Sequence, residues 1–179
     1  MSDNYRLMKN LTLWDLAYVI DMAIACCISY AIITRALVPF VDRADDLLGG
    51  MWAVVATIFV FRDSRKSSLS AGRDRLIATC VSFVLCLVYF LIVPFTPLGM
   101  VVVISAGSIA MIVLGRRGDI VTTGITTAVV MVAAALSPQE AWHQPLLRLV
   151  DTVVGIGVGV SCKWAASYAF YRMAGEPVR

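Results

Sequence analysis

The stretch Arg148–Trp164, RLVDTVVGIGVGVSCKW, decides between a soluble and a membrane fold. It is almost wholly apolar, yet it carries an arginine, an aspartate and a lysine. A dinucleotide-binding loop needs a strand, a GxGxxG turn and a soluble helix, whereas this GxGxG sequence lies inside a long apolar run. Gly155 and Gly159 are four residues apart, so on a helix they share one face and let a second backbone approach closely. We therefore predict a membrane helix with Gly155 and Gly159 as its helix-packing residues.

The composition of the whole chain favours the same class. The 179 residues are 60% hydrophobic and 15% charged, and the mean hydropathy is +0.84. Soluble domains are about 45–50% apolar and about 25% charged. This excess is too large for one small soluble core, and the length indicates one domain over residues 1–179. We expect no cleavable signal peptide, because the polar start MSDNYRLMKN leads into an apolar run without a clear cleavage site.

Six apolar segments predict an all-α integral membrane protein with six transmembrane helices. A spanning helix needs about 20 apolar residues. The first, third, fourth and sixth segments satisfy this length, the fifth is marginal, and the second has only 15 residues before the next arginine. The predicted spans are approximately 16–38, 47–61, 76–95, 97–115, 119–136 and 147–171.

The distribution of basic residues predicts that both termini are cytoplasmic. With the N-terminus inside, twelve lysines and arginines lie on the inner side and three on the outer side. Cytoplasmic loops carry such an excess of positive charge. An even number of spans then returns the C-terminus to the same side.

Two short segments of the chain resemble one another. RLIATCV at Arg75–Val81 and RLVDTVV at Arg148–Val154 lie 73 residues apart, about three spans. The first would begin the third span on the inner side, and the second would begin the sixth span on the outer side. This pattern indicates an inverted repeat of two three-helix units, an arrangement that many transporters share.

Four ionisable residues are predicted at membrane depth, where a charge is costly and marks function. At about 1.5 Å per residue, Asp21 and Lys163 fall on the cytoplasmic side of the midplane. Arg35 and Asp151 fall near the outer boundary. The charges allow two pairs between the first and sixth helices. The alternatives are that Arg35 and Lys163 extend toward the headgroups and that Asp151 stabilises the helix dipole. Asp21 is the best candidate for a proton-coupling or ion-pairing residue.

A stripe of threonines around Gly124 offers a polar path along the fifth span. Thr123 and Thr127 are the candidates for lining it, although threonine hydroxyls also bond to their own helix backbone. The five cysteines lie in apolar runs without metal-site spacing. The sequence has no nucleophile–base pair, metal cluster or ATP-binding loop. We therefore expect neither an enzyme nor a cofactor.

The motifs together resemble the fusaric acid resistance-like (FUSC) and aromatic acid exporter group. They are Trp52 early in the second span, the serine-containing basic loop Ser64–Arg73, RLIAT at Arg75–Thr79 and RLVDTVVG at Arg148–Gly155. The resemblance covers roughly residues 20–172. One departure is Ala78, which stands where that group usually has glycine.

The resemblance implies a six-helix domain in the bacterial inner membrane that exports organic acids, chiefly aromatic carboxylates, with the proton gradient as driving force. Many members carry this domain twice in one chain, so this shorter chain would act as a homodimer. Plant aluminium-activated malate channels are distantly similar in their membrane part, which keeps a passive anion channel as the alternative. A non-transporting membrane partner subunit is the third interpretation. The expected partners are an organic anion, the lipid bilayer and a second copy, with no nucleic acid.

The charged residues fit an anionic substrate. Arg35, Arg148 and Lys163 could attract a carboxylate along the first and sixth helices, because an arginine fork matches the planar carboxylate. Asp21 would compete for the same cation and release the substrate when it becomes protonated. Asp151 is the second candidate for an ion pair.

Overall fold

The computed structural model describes residues 13–36, 43–62, 64–136 and 141–174. These residues form six α-helices, and a short 3-10 helix, Arg117–Asp119, precedes the fifth. The helices are α1 (Leu13–Ala36), α2 (Arg43–Val60), α3 (Arg65–Ile92), α4 (Pro97–Val113), α5 (Ile120–Leu136) and α6 (His143–Ala174). The predicted all-α, six-helix fold is confirmed.

Four of the helices are long and apolar enough to cross a membrane, and two are shorter. The long segments are Asp15–Arg35, Arg65–Ile92, Arg117–Leu136 and His143–Tyr168, and the shorter ones are Leu47–Val60 and Pro97–Val113. At about 1.5 Å per residue, a 17-residue helix spans about 26 Å, slightly less than the ~30 Å hydrocarbon core. The second span was expected to be short. The fourth was expected to reach residue 115, but its helix ends at Val113.

A glycine ends α4 early. Gly115 has φ of 71°, in the left-handed region that glycine adopts without steric cost. The amide of Arg116 donates to the carbonyl of Met111 at 2.8 Å, and the amide of Gly115 donates to that of Ile112 at 3.0 Å. This pair of hydrogen bonds is the Schellman motif, which satisfies the last carbonyls of a helix.

The third helix begins well before its apolar run, because a capping box starts it. The hydroxyl of Ser64 accepts from the amide of Ser67 at 3.2 Å, and the hydroxyl of Ser67 accepts from the amide of Ser64 at 3.2 Å. These bonds satisfy amides that the first helical turn leaves without partners. Most of the predicted basic loop is therefore helical.

Helices α3 and α6 connect two groups of helices by packing against each other. Helix α6 also packs against α1 and α2, and α3 contacts the paired helices α4 and α5. We call the end with the α2–α3 and α4–α5 connections the basic end. There the hydroxyl of Tyr18 donates to the carbonyl of Phe61 at 3.1 Å, and Arg65 lies 5.9 Å from the Trp164 ring centroid. The opposite end is the far end.

Candidate functional site

The glycines of α6 lie directly against α2. A Cβ atom at Gly155 would lie 2.3 Å from the carbonyl oxygen of Ala53, and one at Gly159 would lie 3.3 Å from that of Thr57. The hydroxyl of Thr57 reaches the carbonyl of Gly155 at 3.0 Å and that of Ala53 at 2.9 Å. Larger side chains would push the helices apart. The backbone contact therefore sets the distance between α6 and α2.

A buried ion pair lies on α6 at the far end. A guanidinium nitrogen of Arg148 is 2.9 Å from a carboxylate oxygen of Asp151, and each residue is 1% exposed. Helix α2 covers the pair, because a Cβ at Gly49 would lie 2.9 Å from Asp151 Oδ1. Asp151 thus has a partner on its own helix. Arg35, the other cation considered for it, is exposed near the end of α1.

A second buried arginine, Arg75, lies on α3 and is 2% exposed. Its guanidinium carbon is 4.6 Å from the ring centroid of Phe59 and 5.2 Å from that of Trp52. Among the described residues, none of its side-chain nitrogens has a hydrogen-bond partner. Cation–π contacts stabilise such a group by about 0.5–2 kcal/mol, whereas burying an ion costs several kcal/mol. The rings compensate this charge only in part.

A cavity of about 200 Å³ opens beside Arg75 at the basic end. We call it the basic-end cavity. The exposed residue Arg62 lies at its rim, and the ring of Phe59 forms part of its wall. The hydroxyl-bearing Thr122 also lines it, as do the two acids Asp74 and Asp119.

The two acids of the basic-end cavity are held by Arg116, from the α4–α5 connection. Its Nη2 binds Asp74 Oδ1, and its Nε lies 2.9 Å from Asp119 Oδ2. The hydrogen bond to Asp74, followed by that to Asp119, raises the pKa of Arg116 above its ordinary value, so the guanidinium stays charged. Both acids that line the cavity therefore bind Arg116, and neither binds Arg75.

The predicted neighbours Asp21 and Lys163 lie on α1 and α6. Both are half-buried near the basic end, and Lys163 acts electrostatically on Asp21. The ammonium of Lys163 lies 4.7 Å from the ring centroid of Tyr18 and 5.3 Å from that of Phe61. Two aromatic faces thus lie close to this cation.

The predicted threonines lie between α5 and α3. Thr123 and Thr127 are fully buried. Thr127 donates to the hydroxyl of Ser82 at 3.1 Å, and Ser82 donates to the carbonyl of Thr123 at 3.1 Å. The hydroxyl of Thr123 returns to the carbonyl of Asp119 at 2.9 Å. These hydroxyls link two helices, while the adjacent Thr122 faces the basic-end cavity.

The structure distributes the predicted site residues over three places. Arg148 and Asp151 meet at the far end, Asp21 and Lys163 lie near the basic end, and the threonines lie on the α3–α5 boundary. Sequence reasoning did not single out Arg75 as a site residue. The repeat was the available signal, because Arg75 corresponds to Arg148 while Ala78 corresponds to Asp151.

The family comparison agrees with this architecture. The sequence model of the fusaric acid resistance protein-like family matches residues 37–162, well over half of the chain. The chain belongs to this family. The resemblance inferred from the motifs is confirmed, and the fusaric acid resistance-like membership places the chain among multi-pass membrane proteins of the transporter and efflux type. Comparisons with curated proteins and with solved structures give no match.

Proposed function

We propose that this protein exports organic acid anions, chiefly aromatic carboxylates, across the bacterial inner membrane, and that it works as a proton-coupled homodimer. The observation that carries the proposal is the pair of buried arginines, Arg75 and Arg148. They lie at corresponding positions of the two halves and at opposite ends of the bundle. Charged residues inside a membrane are energetically costly, need a partner and mark substrate or ion pathways. Two buried cations at such positions favour an anionic substrate.

The helix contacts support an inverted repeat of α1–α3 and α4–α6. Helix α1 packs on α2 as α4 packs on α5, and α2 packs on α6 as α5 packs on α3. Likewise α1 contacts α6 as α4 contacts α3, and the corresponding helices α3 and α6 contact each other. Each contact of one half therefore has a counterpart under exchange of the halves.

The hydrogen bonds between helices follow the same correspondence. Thr57 of α2 donates to the carbonyl of Gly155 on α6. Ser82 precedes Gly155 by 73 residues, and it accepts from Thr127 of α5. A hydroxyl from the middle helix of one half thus bonds to the last helix of the other half in both cases. Transporters built this way place their substrate path between the halves.

The remaining predicted residues have defined places in this proposal. Arg35 provides positive charge at the far end, where Arg148 is paired with Asp151, and Lys163 provides it at the basic end. Asp21 neutralises Lys163 when it is ionised, and its protonation frees the ammonium. Thr123 and Thr127 offer hydroxyls on the boundary where the halves meet. Both chain termini face the cytoplasm, as the excess of basic residues on that side favours.

The test is flux through proteoliposomes that contain the purified protein. Benzoate, larger aromatic carboxylates and chloride are supplied with and without a pH gradient, to the parent protein and to Asp21→Asn. Asp15→Asn, a change at an exposed acid on the same helix, is the matched control. We expect gradient-dependent benzoate flux that Asp21→Asn abolishes and Asp15→Asn leaves unchanged.

Two other outcomes separate the competing functions. Anion flux that is independent of the pH gradient and exceeds carrier rates would replace the exporter with a passive channel. A correctly folded protein that carries none of the anions would overturn both and favour the partner subunit. Cross-linking in the membrane tests the homodimer separately, and a monomer that transports at the full rate would contradict that part of the proposal.

A further inference from the structure

The guanidinium of Arg75 has donors that no described residue satisfies. An arginine side chain carries five N–H donors, and the described part of the chain supplies a hydrogen bond to none of the three nitrogens. The residue is 2% exposed, so bulk water does not surround it. Buried polar groups in native proteins are nearly always hydrogen-bonded, and an unsatisfied one requires an explanation.

The corresponding arginine shows which group is missing. Arg148 has the carboxylate of Asp151, three residues later, at 2.9 Å. Three residues after Arg75 the chain has Ala78, which is fully buried. The half that contains Arg75 therefore keeps the cation of the motif and lacks its anion. A carboxylate that enters from outside the chain would complete the pair.

The basic-end cavity provides the space for such a carboxylate. Its volume of about 200 Å³ is below the roughly 300–1,000 Å³ of pockets for drug-sized ligands. It therefore suits a small anion with one ring or a short chain. Phe59 offers an apolar wall, while Thr122 and Arg62 offer a hydroxyl and a second cation.

The charges around the basic-end cavity favour an anion at Arg75. Asp74 and Asp119 line the cavity and would repel a carboxylate, but Arg116 bridges both of them. Together with Arg62, Arg75 and Arg73, which lies 3.7 Å from Asp74, these groups sum to two positive charges. Arg116 and Arg73 balance the two acids, so the excess positive charge is on Arg75 and Arg62.

We infer that Arg75 binds the carboxylate of a small organic anion in the basic-end cavity, with the rest of the anion against Phe59. That this anion is also the transported substrate rests on the proposed function. The binding itself depends on the cavity and on the charge of Arg75. An arginine fork can bind both carboxylate oxygens, which makes the contact charge-assisted and geometrically specific.

Benzoate binding to the purified protein in nanodiscs tests the inference. The affinity is measured by calorimetry for the parent protein, Arg75→Gln, Arg75→Lys and Lys66→Gln. Hydrogen bonds to charged groups predict that Arg75→Gln weakens binding about 10–100-fold, and that Arg75→Lys, which keeps the charge and loses the fork, weakens it less. Lys66→Gln changes the net charge equally at an exposed side chain of the same helix that does not line the cavity, and the affinity should stay at the parent value.

A second measurement leaves Arg75 in place, in case its variants fail to fold. Ala71 lines the basic-end cavity, so Ala71→Cys in a background with the native cysteines changed to alanine gives a reporter thiol. Benzoate should slow the reaction of this thiol with a water-soluble maleimide. An unchanged labelling rate at saturating benzoate, or parent affinity in a folded Arg75→Gln variant, would overturn the inference.

The flux experiment separates this inference from the proposed function. Benzoate binding that depends on Arg75, in a protein that transports no anion, would retain the site and reject the exporter. Gradient-dependent benzoate flux that is unchanged in Arg75→Gln would retain the exporter and reject the site.

Discussion

The surroundings of Arg148 and Arg75 differ although both residues begin the same short motif. Arg148 is closed in a dry ion pair with Asp151 that α2 covers at Gly49. Arg75 faces two aromatic rings and a cavity. One residue three positions later, aspartate or alanine, accounts for the difference. The motif around Arg148 holds helices together, whereas the motif around Arg75 has a cation that, in our proposal, binds an anion.

The largest expected effect comes from breaking the closed pair. Asp151→Ala leaves the charge of Arg148 buried without its carboxylate, and loss of one partner of a buried pair costs about 3–5 kcal/mol. We expect this loss in the free energy of unfolding, measured with denaturant in detergent micelles. The double variant Asp151→Ala/Arg148→Met should recover most of it. Equal stability of the single and double variants would contradict the assignment of the pair as a structural unit.

The next effect comes from making the two motifs alike. Ala78→Asp places a carboxylate at the position that corresponds to Asp151, where it can occupy Arg75. Benzoate affinity should then fall about 10–100-fold, because the arginine already has an anion. Ala78→Asn is the matched control, since it adds nearly the same volume without the charge. An equal loss in both variants would attribute the effect to crowding at this buried position.

The smallest effect concerns the ring that partly compensates Arg75. Phe59→Leu keeps an apolar side chain and removes the π face that lies 4.6 Å from the guanidinium carbon. We expect the unliganded protein to lose about 0.5–1 kcal/mol of unfolding free energy. Phe59→Tyr, which retains the ring, should remain close to the parent protein. A loss of the same size in Phe59→Tyr would show that packing, and not the cation–π contact, is responsible.

The helix boundaries show where sequence patterns are sufficient and where they are not. The apolar runs locate all six helices, because each helix in a bilayer must satisfy its own backbone. Their ends depend on local chemistry that hydropathy ignores. The capping box at Ser64 extends α3 into the basic loop, and the left-handed Gly115 ends α4 before the apolar run is complete.

The candidate site was accessible to sequence reasoning only in part. The pattern of charges placed Asp21 beside Lys163 on facing helices, and the structure shows them as electrostatic neighbours. The same reasoning left Asp151 with two candidate roles, and it treated Arg75 as a marker of the repeat. A partner three residues away on one helix competes with a partner on another helix, and sequence alone does not decide between them.

The amino-acid sequence by itself determined the membrane class, the helical composition and the family, because these depend on apolar run lengths and on short motifs. The same motifs predicted the correspondence between the two halves. The tertiary structure decided which charges are paired. The close approach of α2 to α6, at Gly49 of α2 and Gly155 of α6, buries Arg148 with Asp151, while α2, α3 and the α4–α5 connection leave a cavity beside Arg75. The energy of a charge depends on every group within a few ångströms, and helix packing brings those groups together.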